Sequence, residues 1–192
     1  MFNKLYNKTL ELAEKPHALS MLAIISFIES SFFPIPPDIL LIPMVLAAPS
    51  RAWKIAFVCT ISSVLGGLFG YYIGYALFDV IGQPLLEFYG HEENFARFTD
   101  QYNEWGAWIV AFFGLTPFPY KVITIASGVT HLSLPTFILA SLVSRAVRFY
   151  LVAALLWKFG APIKTFIEKR LGLLTTLFFI FLFGGFLALK YL

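Results

Sequence analysis

The sequence predicts an all-α integral membrane protein: two opposed re-entrant helical hairpins in an inverted repeat, about three transmembrane helices and an N-terminal interfacial helix. Three observations lead there. The first is composition. The 192 residues are 59% hydrophobic with a mean hydropathy of +0.78, and carry 14 Lys and Arg against 11 Asp and Glu. A soluble domain of this length needs a polar exterior, which so few charges do not supply. The second is proline. "FFPIPPDILLIP" (32–43) sets four prolines and an aspartate inside an apolar stretch. A proline within a helix removes a hydrogen bond and clashes with the preceding turn, at ~3 kcal/mol or more. The third is repetition: "PIPPD" (34–38) and "PFPYK" (117–121) share the form Pro-x-Pro-x-charge at the centres of two broken apolar segments.

The elements follow in order along one domain spanning 1–192. In residues 1–17, Phe2, Leu5, Tyr6, Leu10 and Ala13 share a helical face with charges elsewhere, which suits a helix lying on the membrane surface. A solvated terminus is the alternative reading of the same residues. Segment 18–48 has apolar arms of about 16 and 10 residues on either side of Pro34, Pro36 and Pro37. At ~1.5 Å rise per residue neither arm spans a ~30 Å hydrocarbon core, so the segment reads as a re-entrant hairpin. Residues 53–78 make a transmembrane span. The acidic stretch 79–104 is expected as an extramembrane loop containing an amphipathic helix. Segment 105–129, broken at Pro117 and Pro119 into arms of about 12 and 9 residues, is the second hairpin. Spans follow at 134–157 and 171–189.

Loop charge supports pairing the two broken segments. With both re-entrant, nine Lys and Arg fall on the cytoplasmic side, the N-terminus included, and two on the other. With both crossing, the split is eight to three; with only the first crossing it is five to six, against the positive-inside rule. Two hairpins separated by one span enter from opposite sides, and such inverted pairs place substrate sites near the midplane at broken helix ends.

Several function classes are disfavoured. Basic residues are scattered, so no nucleic-acid partner is expected. Cys59 is the one cysteine, which leaves no intrachain disulfide. His17, His91 and His131 lie far apart without ligand spacing, so neither metal nor cofactor is expected. No nucleophile or nucleotide motif appears, and an enzyme is not expected. No cleavable signal peptide is expected at the polar N-terminus. Gly66, Gly70 and Gly74 fall at i, i+4, i+8, a close helix-packing face rather than a ligand loop.

What remains is charge inside the membrane: the bases Lys121, Arg145 and Arg148 and the acids Glu29 and Asp38. Each costs ~2.5–3.5 kcal/mol at a helix centre by insertion scales, so each should face protein or a polar cavity. Arg145 and Arg148 share a face at i, i+3. The planar guanidinium fork suits phosphate, and Lys121 adds a third base. Glu29 and Asp38 either exchange protons and gate release, or neutralise the arginines to hold the bundle together.

"FIESSFFPIPPDILL" (27–41), "FFGLTPFPYKVITIASG" (112–128) and "SRAVRFYLVAALLWKFG" (144–160) resemble the DedA superfamily, also called the VTT or SNARE-associated family, and most closely its YqaA-like branch. The resemblance implies two opposed re-entrant hairpins, a multi-pass protein of the bacterial inner membrane with a cytoplasmic N-terminus, and a role in moving lipids between leaflets. It carries the family's essential acids to Glu29 and Asp38 and its essential arginines to Arg145 and Arg148. Leu115 stands where better-known members have the first Arg of a Gly-Arg-Phe stretch, with Lys121 as the nearby base. The expected function is a flippase or scramblase for a phosphate-bearing lipid, either phospholipid or polyprenyl phosphate, with proton coupling through the acids. Membrane lipids are the expected partners, and homo-oligomerisation is open. The competing readings are a small-ion or proton-coupled solute transporter and a non-catalytic assembly protein.

Overall fold

The computed structural model describes residues 17–33, 36–84, 92–116, 119–160 and 162. Every regular element among them is helical. The expected interfacial helix at the N-terminus, the expected span 171–189, and Pro34 and Pro117 lie outside the described residues.

Helix α1 (Ala18–Ser31) ends where the amides of Phe32 and Phe33 both turn back to the Ile28 carbonyl. Pro36 and Pro37 follow, and without N–H donors they cannot extend it. Helix α2 (Asp38–Ala47) starts directly after Pro37, with Asp38 in its first turn, where the helix dipole favours a carboxylate. A 3₁₀ turn (Pro49–Arg51) leads into α3 (Ala52–Leu77), which continues through a π-helical turn, Phe78–Gly82. Helix α4 (Glu92–Leu115) runs unbroken across the boundary expected at residue 104, and α5 (Tyr120–Val129) begins after Pro119. Helix α6 occupies Leu134–Gly160. The stretches Pro49–Gly82 and Leu134–Gly160, 34 and 27 residues, are long and apolar enough to cross a membrane.

Two apolar cores result. The first joins Ala18 and Leu22 of α1, Leu41 and Val45 of α2, Ile55 and Cys59 from the start of α3, and Phe149 and Ala153 from the end of α6. The second joins Tyr102 and Val110 of α4, Tyr120 and Ile123 of α5, and Phe137 from the start of α6, with Leu68 and Tyr71 of α3 packed against it. Each long helix therefore gives one half to each core, and each broken segment owns one core.

Close helix contact makes this possible. A Cβ on Gly66 would run into the backbone carbonyl of Phe27 on α1, and one on Gly74 into that of Ile125 on α5. Gly70 faces Thr124 and the Ser30 carbonyl, so the glycine face of α3 is spent on packing, as its spacing predicts. The turn between α5 and α6 holds His131 at φ 53°, a left-handed conformation uncommon outside glycine. His131 stacks on Tyr75 and lies 3.5 Å from Asp79, tying that turn to the end of α3.

Candidate functional site: a polar belt between two cores

The site's polar groups come from the end of α1, the starts of α2 and α5, the middle of α3, the residue after α4 and one turn of α6. Arg145 and Arg148 project from α6 at i, i+3, and each meets one acid of the first broken segment. Arg145 Nη2 donates to Glu29 Oε2 at 3.0 Å. Arg148 Nη2 donates to Asp38 Oδ2 at 2.7 Å.

The first pair is sealed. The Arg145 side chain is 0% exposed and that of Glu29 11%. Its guanidinium carbon lies over the rings of Tyr120 and Phe149, 4.7 Å from each centroid. Both rings therefore offer the cation a π-face. Along the guanidinium edge Nε donates to Ser63 Oγ at 2.6 Å, while Nη1 has no hydrogen-bond partner among the described residues. Ser63 Oγ is 2.7 Å from Ser30 Oγ, and Ser30 donates to Glu29 Oε2 at 3.1 Å. Arg145, Ser63, Ser30 and Glu29 so form a closed hydrogen-bonded ring linking α6, α3 and α1.

The second pair is open. Its side chains are 16% and 24% exposed. Arg148 also donates through Nη1 to the Thr116 carbonyl at 3.2 Å, just past the end of α4. One guanidinium therefore spans both breaks, with the first turn of α2 on one side and the last carbonyls of the α4 segment on the other. Lys121, at the start of α5, crosses in the other direction: its Nζ donates to the Phe32 carbonyl at 3.4 Å. Beside it, Thr124 Oγ1 lies 3.0 Å from the Ser30 carbonyl. Helix C-termini leave carbonyls without intrahelical donors, and cations and hydroxyls of the opposite segment satisfy them here.

The five charged residues singled out in the sequence are thus brought together, though not equally. Arg148, Asp38 and Lys121 stand at the accessible side of the belt; Arg145 is enclosed by protein. Among the prolines, Pro37 is fully buried at the start of α2, and Pro119 is the cap residue of α5. Pro36 contributes its carbonyl to the amide of Ile39. No described contact gives the prolines more than a turn-forming part.

Sequence reasoning missed Ser30, Ser63, Thr116 and Tyr120. A signal for the serines was present: Ser26 and Ser30 recur at i, i+4 on α1, and Cys59 and Ser63 do so on α3. The structure matches them rung by rung, Ser26 donating to the Cys59 carbonyl at 2.8 Å and Ser30 meeting Ser63.

Comparison with known proteins adds to this geometry. The family model of the VTT domain matches residues 35–158, from the first proline break to the end of α6. An uncharacterised protein of Haemophilus influenzae is 39% identical over 172 residues, covering 88% of this chain and 89% of its own. A homologous uncharacterised protein of Histophilus somni is 40% identical over 172 residues, covering 88% and 90%. No solved structure matches the chain significantly.

Proposed function

Because the chain belongs to the VTT-domain (DedA) family of membrane proteins, we propose that it is a lipid transporter rather than an enzyme, carrying a phosphate-bearing lipid between leaflets. The observation that carries this reading is Arg148, a partly exposed guanidinium that bridges both proline breaks and is shared between Asp38 and the Thr116 carbonyl. Such a cation has partners it can exchange for a phosphate oxygen pair, and a planar fork matches that group bidentately. Lys121, which donates to the Phe32 carbonyl at a long 3.4 Å, supplies a second positive charge beside it.

In this reading the two broken segments are re-entrant hairpins entering from opposite faces of a bacterial inner membrane, the N-terminus being cytoplasmic. The exchange of core halves between α3 and α6 supports an inverted repeat. The headgroup binds between the hairpin tips at Arg148 and Lys121, displacing Asp38. Arg145 joins once its ring with Glu29 opens, and protonation of Glu29 opens it. Acyl chains stay in lipid, where Phe32, Phe33 and Ile39, all about half exposed beside the tips, present an apolar flank.

Vesicles containing the purified protein and a headgroup-labelled phospholipid test this. The label is expected to become accessible from both leaflets, and Arg148→Ala is expected to slow that without unfolding the protein. Flip no faster than in empty vesicles, for phospholipid and polyprenyl phosphate probes alike, would defeat the proposal. Cysteines placed at positions 50 and 131 test the hairpins: labelling of both from one side contradicts double re-entry.

A further inference from the structure

We propose that Ser30 and Ser63 are positioning residues that couple the charge of Glu29 to the seat of Arg145, so that the guanidinium is held only while Glu29 is a carboxylate. The inference deepens the transport reading and rests on it for the last step alone, the handing of Arg145 to a lipid phosphate.

The ring has one possible direction. Arg145 Nε can only donate, so Ser63 Oγ accepts from it at 2.6 Å. Ser30 donates to Glu29 Oε2, because a carboxylate only accepts. The 2.7 Å bond between the two hydroxyls is therefore given by Ser63 and received by Ser30. Read round, Arg145 donates at both ends and Glu29 Oε2 accepts at both ends, from Ser30 directly and from Arg145 Nη2 at 3.0 Å. All of Ser30 and Ser63 is buried, so water offers neither hydroxyl a substitute.

That arrangement is charge-balanced only with an ionised Glu29. A proton on either carboxyl oxygen removes the counter-charge, and one on Oε2 also takes one of the two lone pairs that Ser30 and Arg145 use. The guanidinium over Tyr120 and Phe149 then becomes a buried charge without a counter-ion in the ring, among the least tolerable groups in a protein. The proton passes from a hydronium ion to a carboxylate oxygen of Glu29, one O–H bond breaking as another forms, and the freed guanidinium edge is left to pair with an anion. Among the described residues, Arg148 on α6, Tyr120 on α5 and Cys59 on α3 also act electrostatically on Arg145, and Asp38 on α2 is paired with Arg148. None of them closes the ring in place of a serine. One turn away, Ser26 donates to the Cys59 carbonyl and accepts from the Cys59 thiol without touching the ring, which makes Ser26 an internal control for the same helix pair.

The test uses the full chain in vesicles of phosphatidylcholine and phosphatidylglycerol. Dicyclohexylcarbodiimide reacts with protonated carboxyls in apolar surroundings, and mass spectrometry of the peptide bearing Glu29 reads the rate. At neutral pH, Ser30→Ala and Ser63→Ala should label roughly tenfold faster than the unmodified protein, as expected for loss of one hydrogen bond to a charged group. Ser63→Thr, which keeps the hydroxyl, and Ser26→Ala, which loosens the same helix pair outside the ring, should label at the unmodified rate. Equal labelling of all five proteins overturns the inference, and so does a rise in Ser26→Ala matching that in Ser63→Ala. If Ser63→Ala does not fold, Ser30→Ala against Ser26→Ala decides alone. Flip of headgroup-labelled phosphatidylglycerol and of polyprenyl phosphate in the same vesicles separates the two proposals. Labelling that follows the ring in a protein that moves no lipid supports the coupling and removes the transport reading.

Discussion

The pairs Glu29–Arg145 and Asp38–Arg148 use the same chemistry one turn apart on α6, at 3.0 and 2.7 Å. Their surroundings differ. Arg145 is wholly enclosed, stacked on two rings and joined to a serine chain, whereas Arg148 and Asp38 remain partly exposed and Arg148 divides its donors between two break points. In a low-dielectric interior, breaking a pair strands a charge; at an accessible site either partner can be exchanged. The same residue types therefore suit a latch in one place and a ligand seat in the other. Burial, not identity, divides the roles.

The sharpest way to break that contrast is Arg145→Ala. Glu29 would be left buried beside Ser30 without its cation, and a loss of about 3–5 kcal/mol is expected. Thermal unfolding in detergent measures it. Arg145→Lys should recover little, because an ammonium supplies neither the Nε bond to Ser63 nor a plane to stack on Tyr120 and Phe149. The double variant Glu29→Leu/Arg145→Met should recover much of the stability while lipid movement stays lost. If Arg145→Ala and Arg148→Ala cost the same stability, the two sites are not different in kind.

Next in size is Gly66→Ala. Its Cβ meets the Phe27 carbonyl, so α1 must back away from α3 and carry Glu29 with it. Overpacking of this sort costs about 1–3 kcal/mol. Gly67→Ala, whose nearest neighbours are side-chain atoms, the Thr124 methyl at 3.3 Å first, should cost less than Gly66→Ala. Comparing the two melts tells whether the sealed pair depends on the α1–α3 approach.

How much of this was legible beforehand depends on the kind of information each feature carries. The breaks at Pro36, Pro37 and Pro119 were readable because proline acts locally, through a missing donor and a fixed φ. The charged residues of the belt were readable because a charge in an apolar segment needs a reason. The run of α4 through residue 104 was not. Composition changes there from polar to apolar, but no proline lies between Glu92 and Leu115, the helix tolerates Gly106, and a helix follows its backbone rather than its polarity. Which acid meets which arginine was also closed to sequence, since Arg145 and Arg148 share a face and tertiary packing alone assigns Glu29 to one and Asp38 to the other. Ser30 and Ser63 were overlooked because a serine in a membrane helix ordinarily satisfies itself on its own backbone, as Ser144 does on Ala140.

Arg148→Ala tests the open half of the comparison. Its pair with Asp38 is partly exposed, so about 1 kcal/mol or less of stability should be lost. Lipid movement should nevertheless fall by at least an order of magnitude, the cost of removing a charge-assisted, bidentate partner for phosphate. Stability and activity would then part company at Arg148 and fall together at Arg145.

Lys121→Met makes the smallest change and the finest distinction. The 3.4 Å bond from Lys121 to the Phe32 carbonyl is long and near the surface, so its loss should leave the melting temperature unmoved. Methionine keeps an unbranched stem of similar length and removes the ammonium. If Lys121 merely caps the end of α1, lipid movement should also be unchanged. If it holds a headgroup with Arg148, movement should fall a few-fold, and more steeply at low salt, where an accessible charge acts over a longer range. A titration of flip rate against ionic strength, run in parallel for Lys121→Met and the parent, separates the two. Equal salt dependence would confine the accessible seat to Arg148 and Asp38.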